Sequence, residues 1–293
     1  MKYYLTLIII LFFLSCKNEK RENTIQTNQD PQEQPIDTLE KSIDTFKNAK
    51  DLEENKAISI EIKQKNLIDK KDEKLELKDL IIEKRFIKQK EDYTIHFIYP
   101  QLNESINRKF ENFNNYINKY YVNIAGTEAE ILKNKALCDS IALIEFKESR
   151  FIDYKIYNVN DNFISVVFYK ENYYSGTLHP SYSFNCMNFD LNRGVFMTYE
   201  DFFLQGSEEE LTSLINEEIN LKINKGELYY DCWEISQDDF FNNKNNLVIN
   251  ETYIEYYFDD CIMCPSYTGS YSVKIPLTKL LSVIKKHHTN PLI

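Results

Sequence analysis

The residues of this chain whose types and spacing could do chemistry are its cysteines and tyrosines. Cys261-Ile-Met-Cys264-Pro265 has the spacing of a redox dithiol and follows an apolar run that reads as a strand. A reactive thiolate needs a helix N-terminus or a cation beside it, and Ser266-Tyr-Thr-Gly-Ser270 instead leads into another strand. Redox catalysis is therefore disfavoured. Cys261, Cys264, Cys232 and either Cys186 or His179 have the donor count for zinc, yet they lack two matching Cys-x-x-Cys knuckles. No metal and no cofactor are expected. Setting Cys16 aside, Cys138, Cys186, Cys232, Cys261 and Cys264 form an odd set, which in an oxidising compartment allows up to two disulfides. Cys232 with Cys261 or Cys264 is the expected pairing.

The other reactive types are present without direction. His96 lies in an alternating strand, and His287 and His288 sit near a basic helix end, where imidazolium complements the dipole. His179, beside Pro180, is the one histidine in a loop rich in tyrosine. No Gly-x-Ser-x-Gly elbow is present to carry a triad, and a pair of glycosidase carboxylates cannot be assigned from spacing. The chain is expected to be no enzyme; the competing reading is a cell-wall glycan-processing enzyme or accessory subunit acting through carboxylates. Tyrosine, at 21 residues, combines contact area with a polar tip. Tyr169, Tyr173, Tyr174, Tyr182, Tyr256, Tyr257, Tyr267 and Tyr271 either form a recognition surface or pack the sheet.

Three segments must position these groups. Lys2 precedes an apolar run from Leu5 to Leu14, short for a bilayer span, which ends in Phe13-Leu14-Ser15-Cys16. This resembles a lipoprotein signal, with Cys16 as the lipidated new N-terminus. The chain would then be anchored to the inner or outer membrane, with its folded part in the periplasm or on the surface. Residues 17–85 carry 15 Lys and Arg against 17 Asp and Glu, with Phe46 as the sole aromatic, and read as a flexible stalk. Its last stretch, Leu80-Ile81-Ile82 with Phe86-Ile87, is apolar enough to start a strand. The remaining residues hold nearly all of the net charge of −11. An acidic surface repels phosphates, so nucleic acid is excluded as a partner while a basic protein is favoured.

An α+β pattern follows, with few crossovers and hence a mostly antiparallel sheet covered by helices. Tyr93 to Tyr99 alternates and should stop at Pro100. Ile106, Phe110, Phe113, Ile117, Tyr120 and Ile124 recur at helical spacing towards Gly126, with a second helical stretch to about Leu137. Strands are expected over Ile141 to Val159, Asn162 to Tyr174, Tyr182 to Phe189, Leu247 to Ile249, Tyr253 to Phe258 and Tyr271 to Ile275. Helices are expected over Tyr199 to Phe203, over Glu208 to Ile223 capped by Ser207, and after Pro276.

Two stretches carry a family resemblance. Ile164 to Pro180, then Phe189-Asp-Leu-Asn-Arg-Gly194 and Tyr199-Glu-Asp-Phe-Phe203, resemble the RsiV-like C-terminal domain, known as domain of unknown function 3298; Cys264-Pro-Ser-Tyr-Thr-Gly269 resembles its second hallmark loop. Tyr93 to Ile117 is similar to the PdaC-like module that accompanies this domain in anti-sigma factors and some peptidoglycan deacetylases. To the signal peptide over 1–16 and the stalk over 17–85 the resemblance adds a PdaC-like module over 86–160 and an RsiV-like domain over 161–293. It also implies a non-catalytic binding domain, its best-known relatives being sensors that bind lysozyme. The expected ligand, a basic protein or peptidoglycan, would meet Tyr173, Tyr174, His179 and Tyr267 where the two loops approach each other.

Overall fold

The computed structural model describes residues 79–141, 145–178, 180–228, 231–259, 261–265, 271–285 and 290. Cys16, most of the stalk, His179, Tyr267, His287 and His288 lie outside the described residues. Described residues form a six-stranded sheet, a three-stranded sheet and helices on the outer face of each.

β1 (Ile81–Gln89) begins inside the segment expected as stalk, with Leu80 already buried. It pairs antiparallel with β2 (Tyr93–Leu102), whose alternate residues Tyr93, Ile95, Phe97 and Tyr99 are buried. β2 does not stop at Pro100, which sits opposite Glu83. The neighbour on its other side, β3 (Glu148–Val159), pairs with β2 only from Tyr93 to Phe97. A proline there removes no ladder hydrogen bond on that side. The β2–β3 pair is parallel; β4 (Phe163–Tyr173), β5 (Ser181–Asp190) and β6 (Val195–Met197) then follow as an antiparallel meander.

The crossover from β2 to β3 differs from one continuous amphipathic helix. A 3-10 turn, Arg108–Phe110, leads into α1 (Glu111–Tyr116), a π-helical turn (Ile117–Val122) and α2 (Ile124–Ile141). The wider π turn carries the buried stripe from Ile117 to Val122, five residues on, instead of to Tyr120. Tyr120, expected on the apolar face, is 66% exposed. Asn123 then adopts φ 38°, and its Oδ1 accepts from the Gly126 amide at 3.2 Å, capping α2. Gly126 thus opens a helix where it was expected to end one: a Cβ there would meet the Asn123 side chain. Ile141 is accordingly helical, and the expected strand starts only at Glu148.

In the second half, Thr198 and Asp201 form a capping box for α3 (Tyr199–Phe202). α4 (Glu208–Asn224) buries Leu211, Ile215 and Ile219 along one stripe. Ser207 stands before it without capping it, because its hydroxyl donates to Leu204 O at 2.5 Å and bonds Tyr199 Oη. α5 (Gln237–Asn243), not foreseen from sequence, opens on a capping box of Ser236 and Asp239. β7 (Leu247–Ile249), β8 (Tyr253–Phe258) and β9 (Tyr271–Pro276) form the small antiparallel sheet. After Pro276 there is a 3-10 turn, Leu277–Lys279, rather than a helix among the described residues. The turn that follows, Leu280 to Ile284, is tied down by an antiparallel bridge of Ile284 to Phe203: Leu204 N donates to Val283 O, and Lys285 N to Phe202 O, both at 2.9 Å.

The result is four layers. α1 and α2 cover one face of the large sheet over Phe97, Phe113, Ile152, Ile156 and Phe168. The opposite face packs on the small sheet through Tyr157, Val167, Tyr169, Phe184, Val248 and Tyr257. α4 closes the far side of the small sheet over Ile254, Tyr256, Val273 and Ile275.

Candidate functional site

The described geometry gathers around the C-terminal end of β4, where Tyr173 and Tyr174 leave the sheet. Strand alternation places Glu148 and Arg150 on one face of β3, and their side chains are 2% and 3% exposed. Arg150 Nη2 donates to Glu148 Oε2 at 2.6 Å and reaches Glu130 of α2 at 3.5 Å. Its Nη1 donates to the carbonyls of Tyr173 at 2.9 Å and Ser149 at 3.1 Å. The guanidinium carbon lies 4.1 Å from the centre of the Tyr174 ring. Asn134 of α2 donates to the other Glu148 oxygen at 3.2 Å. A buried cation is tolerated only when paired and hydrogen-bonded, and this one is spread over a carboxylate, two carbonyls and an aromatic face.

That anchor fixes the loop beyond it. Tyr174 O accepts from the Thr177 amide at 3.1 Å, and Gly176 at φ 86° supplies the left-handed position of a type II turn. Thr177 Oγ1 donates to the same carbonyl at 2.7 Å, while Ser175 Oγ accepts from Lys147 N at 3.2 Å. The tip carries Leu178, 91% exposed, and Tyr173 and Tyr174 are half-buried beneath it. Beside the anchor, burial pushes Lys170 below its ordinary pKa, against the attraction of Glu130. The loop thus joins an exposed apolar residue and an aromatic shoulder to a buried charged root.

Of the other expected site residues, His179 and Tyr267 lie outside the described residues, while the cysteines are placed. Cys264 is joined to Cys232, and both are buried among the core residues between α4 and the small sheet. Cys261, the alternative partner, lies outside the bridge in a left-handed conformation at φ 62°. Trp233 braces this corner, donating from its backbone to Met263 O at 2.8 Å and from Nε1 to Ile262 O at 3.1 Å. With Cys264 in the bridge to Cys232, the Cys261-x-x-Cys264 pair is not a dithiol. Among the described residues no group of three or more His, Cys, Asp or Glu could hold a metal ion. His96 packs edge-on against Phe151 at 5.3 Å.

The tyrosines divide between surface and core. Tyr169, Tyr256 and Tyr257 are buried, and the hydroxyls of Tyr157 and Tyr257 bond each other between the two sheets. Sequence reasoning missed Glu148, Arg150 and Trp233. Glu148-Ser-Arg150 was the available signal: two opposite charges at strand spacing, inside a run whose other same-face residues are apolar.

No family model matches the sequence. The fold is similar to two solved members of the DUF3298 family. One, from Bacteroides fragilis NCTC 9343, aligns with TM-score 0.52 and 14% identity over 70% of this chain and 92% of the other. A second, from Pseudomonas aeruginosa PAO1, gives TM-score 0.50 and 13% identity over 70% and 93%. In sequence, the chain is 26% identical over 148 residues to the peptidoglycan-N-acetylmuramic acid deacetylase PdaC of Bacillus subtilis strain 168. That match covers 47% of this chain and 29% of the length of PdaC. Among the described residues no helix is long and apolar enough to cross a membrane.

Proposed function

We propose that this chain is a non-enzymatic binding domain of the cell envelope that recognises a basic protein through its tyrosine loop, held to the membrane by a lipid on Cys16. One observation carries the reading: a fully buried ion pair, Glu148–Arg150, has as its evident task the positioning of Tyr173 and Tyr174 beneath an exposed leucine. Catalytic sites expose their titratable groups to substrate, whereas these groups are sealed behind the loop they hold. An exposed apolar tip with aromatic shoulders is the make-up of an interface anchor. The net charge of −11 would draw a basic partner and make association faster at low salt. Fold likeness to the DUF3298 structures supports the family resemblance, and the PdaC match supports a cell-wall setting.

The test uses lysozyme, the basic ligand that the resemblance implies, and the full chain. Measurable binding is expected, weakened about five-fold or more by Tyr174→Ala and by Leu178→Ala while melting of the domain is retained. Leu178 is 91% exposed, so its truncation should leave stability within about 0.5 kcal/mol of wild type. Unaltered binding by both variants would place the site elsewhere; turnover of muropeptides by the full chain would overturn the non-enzymatic reading.

A further inference from the structure

The helix layer carries an aromatic ladder that the tyrosine loop does not use. Phe189 of β5 packs edge-on to Phe113 of α1 at 5.3 Å, and Phe113 stacks on Phe196 of β6 at 5.8 Å. Phe196 lies 4.7 Å from Tyr116, and Tyr116 lies 5.9 Å from Tyr120. The ladder starts in the core and ends in water: Phe189 and Phe113 are fully buried, whereas Tyr116 and Tyr120 are 40% and 66% exposed. The π turn causes this, since an α-helical continuation would have placed position 120 on the buried stripe.

The exposed rings have a particular surrounding. Asn112, Asn115, Asn118 and Asn123 are all exposed on the same short stretch of helix. Asn112 Nδ2 donates to Gly194 O at 2.8 Å beside the ladder, whereas Asn118 turns to β2, where its Oδ1 accepts from Gln101 Nε2 at 3.0 Å. Lys119 Nζ stands 5.3 Å from the Tyr120 ring centre. Over residues 108–123 the cations Arg108, Lys109 and Lys119 face one carboxylate, Glu111, in a chain whose net charge is −11. A locally cationic, amide-rich and aromatic face on an acidic protein calls for an anionic ligand rich in hydroxyls.

We propose that this face is a second binding site and that its ligand is an N-acetylated, carboxylate-bearing glycan strand, the polymer of the cell wall. The apolar C–H face of a pyranose ring lies flat on a tyrosine, whose electron-rich face attracts the ring hydrogens. Each asparagine offers both a donor and an acceptor, as sugar hydroxyls and acetamido groups require. The strand carboxylates would meet Lys119 and Arg108. Between Arg108 and Asn123 the exposed large apolar side chains are the two tyrosines, with no aliphatic anchor such as Leu178 for a protein, and a nucleic acid would ask for a denser row of cations. The site stands apart from the tyrosine loop and does not depend on its function.

Co-sedimentation of the full chain with purified, insoluble cell-wall sacculi tests the proposal. The wild-type chain should pellet, more weakly at high salt. Tyr116→Ala with Tyr120→Ala should lower the apparent affinity about ten-fold or more while the domain stays folded, and Tyr120→Trp alone should match or exceed wild-type binding. Lys119→Gln should weaken binding and flatten its salt dependence. Tyr174→Ala, which tests the loop, should pellet normally. The proposal is overturned if the wild-type chain stays in the supernatant, if the double variant pellets like wild type, or if Tyr174→Ala removes pelleting to the same degree.

Discussion

Replacing Arg150 by methionine separates the structural from the functional role of the loop anchor. The substitution keeps the apolar stem but deletes the guanidinium, so Glu148, with a side chain 2% exposed, retains only the Asn134 amide among its described partners. Tyr173 O and Ser149 O each lose the Arg150 donor as well. Removing one partner of a buried pair typically costs about 3 to 5 kcal/mol, because the remaining charge is left uncompensated. For a fold of this size each kcal/mol lowers Tm by about 2 to 4 °C, so Arg150→Met should melt about 6 to 20 °C below wild type. Glu148→Leu combined with Arg150→Met removes both charges and should recover stability to within about 2 kcal/mol of wild type. Binding should not recover with it, since Tyr174 has lost the cation under its ring and the loop its root. Urea unfolding followed by circular dichroism, beside a lysozyme titration of each variant, reads both quantities. A loss below about 1 kcal/mol for Arg150→Met, or a double variant no more stable than the worse single one, would show that the pair is not the uncompensated-charge trap described.

Three further outcomes follow from the same reasoning. Non-reducing peptide mapping should recover Cys232 linked to Cys264, and Cys264→Ser should cost about 2 to 4 kcal/mol; a Cys232–Cys261 linkage instead would contradict the described bridge. Burial works against ionised Asp190, but the Arg193 and Asn192 amides and the Arg193 guanidinium outweigh it and hold the carboxyl below its ordinary range. A depressed folded pKa gives stability that is present above the unfolded value, about 3.9, and is lost as pH falls through the folded value; Asp190→Asn should therefore flatten acid unfolding below about pH 4, and an unchanged profile would refute this. Cys16→Ala should abolish palmitate labelling and signal-peptide cleavage, and continued labelling would remove the anchor from the proposal.

Strand identity was legible because burial on one face writes alternation into the sequence, as in Tyr93-Thr-Ile-His-Phe. Continuity was less legible. Pro100 stops a strand flanked on both sides, yet β3 leaves β2 before that point, which is a tertiary fact. The π turn could not be read, because Tyr120 fits an α-helical stripe as well as Val122 fits a π one. Ser236 and Asp239 could have been read, since the capping box that opens α5 is local chemistry. In the site, Tyr173 and Tyr174 were found by their loop, whereas the Glu148-Ser-Arg150 charge pair marks a buried position in sequence but shows what it holds only when β3 is laid beside β4.

The parallel β2–β3 seam also governs how the domain assembles. Every other pairing in the large sheet joins strands separated by a short turn, whereas β2 and β3 meet across the whole helical crossover from Asn103 to Lys147. Closing that long loop has to precede any reward from the contact, so the seam is the slow, high-separation step of folding. The β1–β2 hairpin and the β3–β6 meander can each form from local contacts and wait for one another. Until they meet, the Tyr93–Phe97 edge of β2 is an unsatisfied apolar strand, open to pairing with another copy of the chain. Pulse-labelled hydrogen exchange would register this as later protection of the Tyr93–Phe97 amides than of those along β4. A chain that folds beyond the cytoplasm would pass through this open-edged state far from the cytoplasmic machinery that shields such edges.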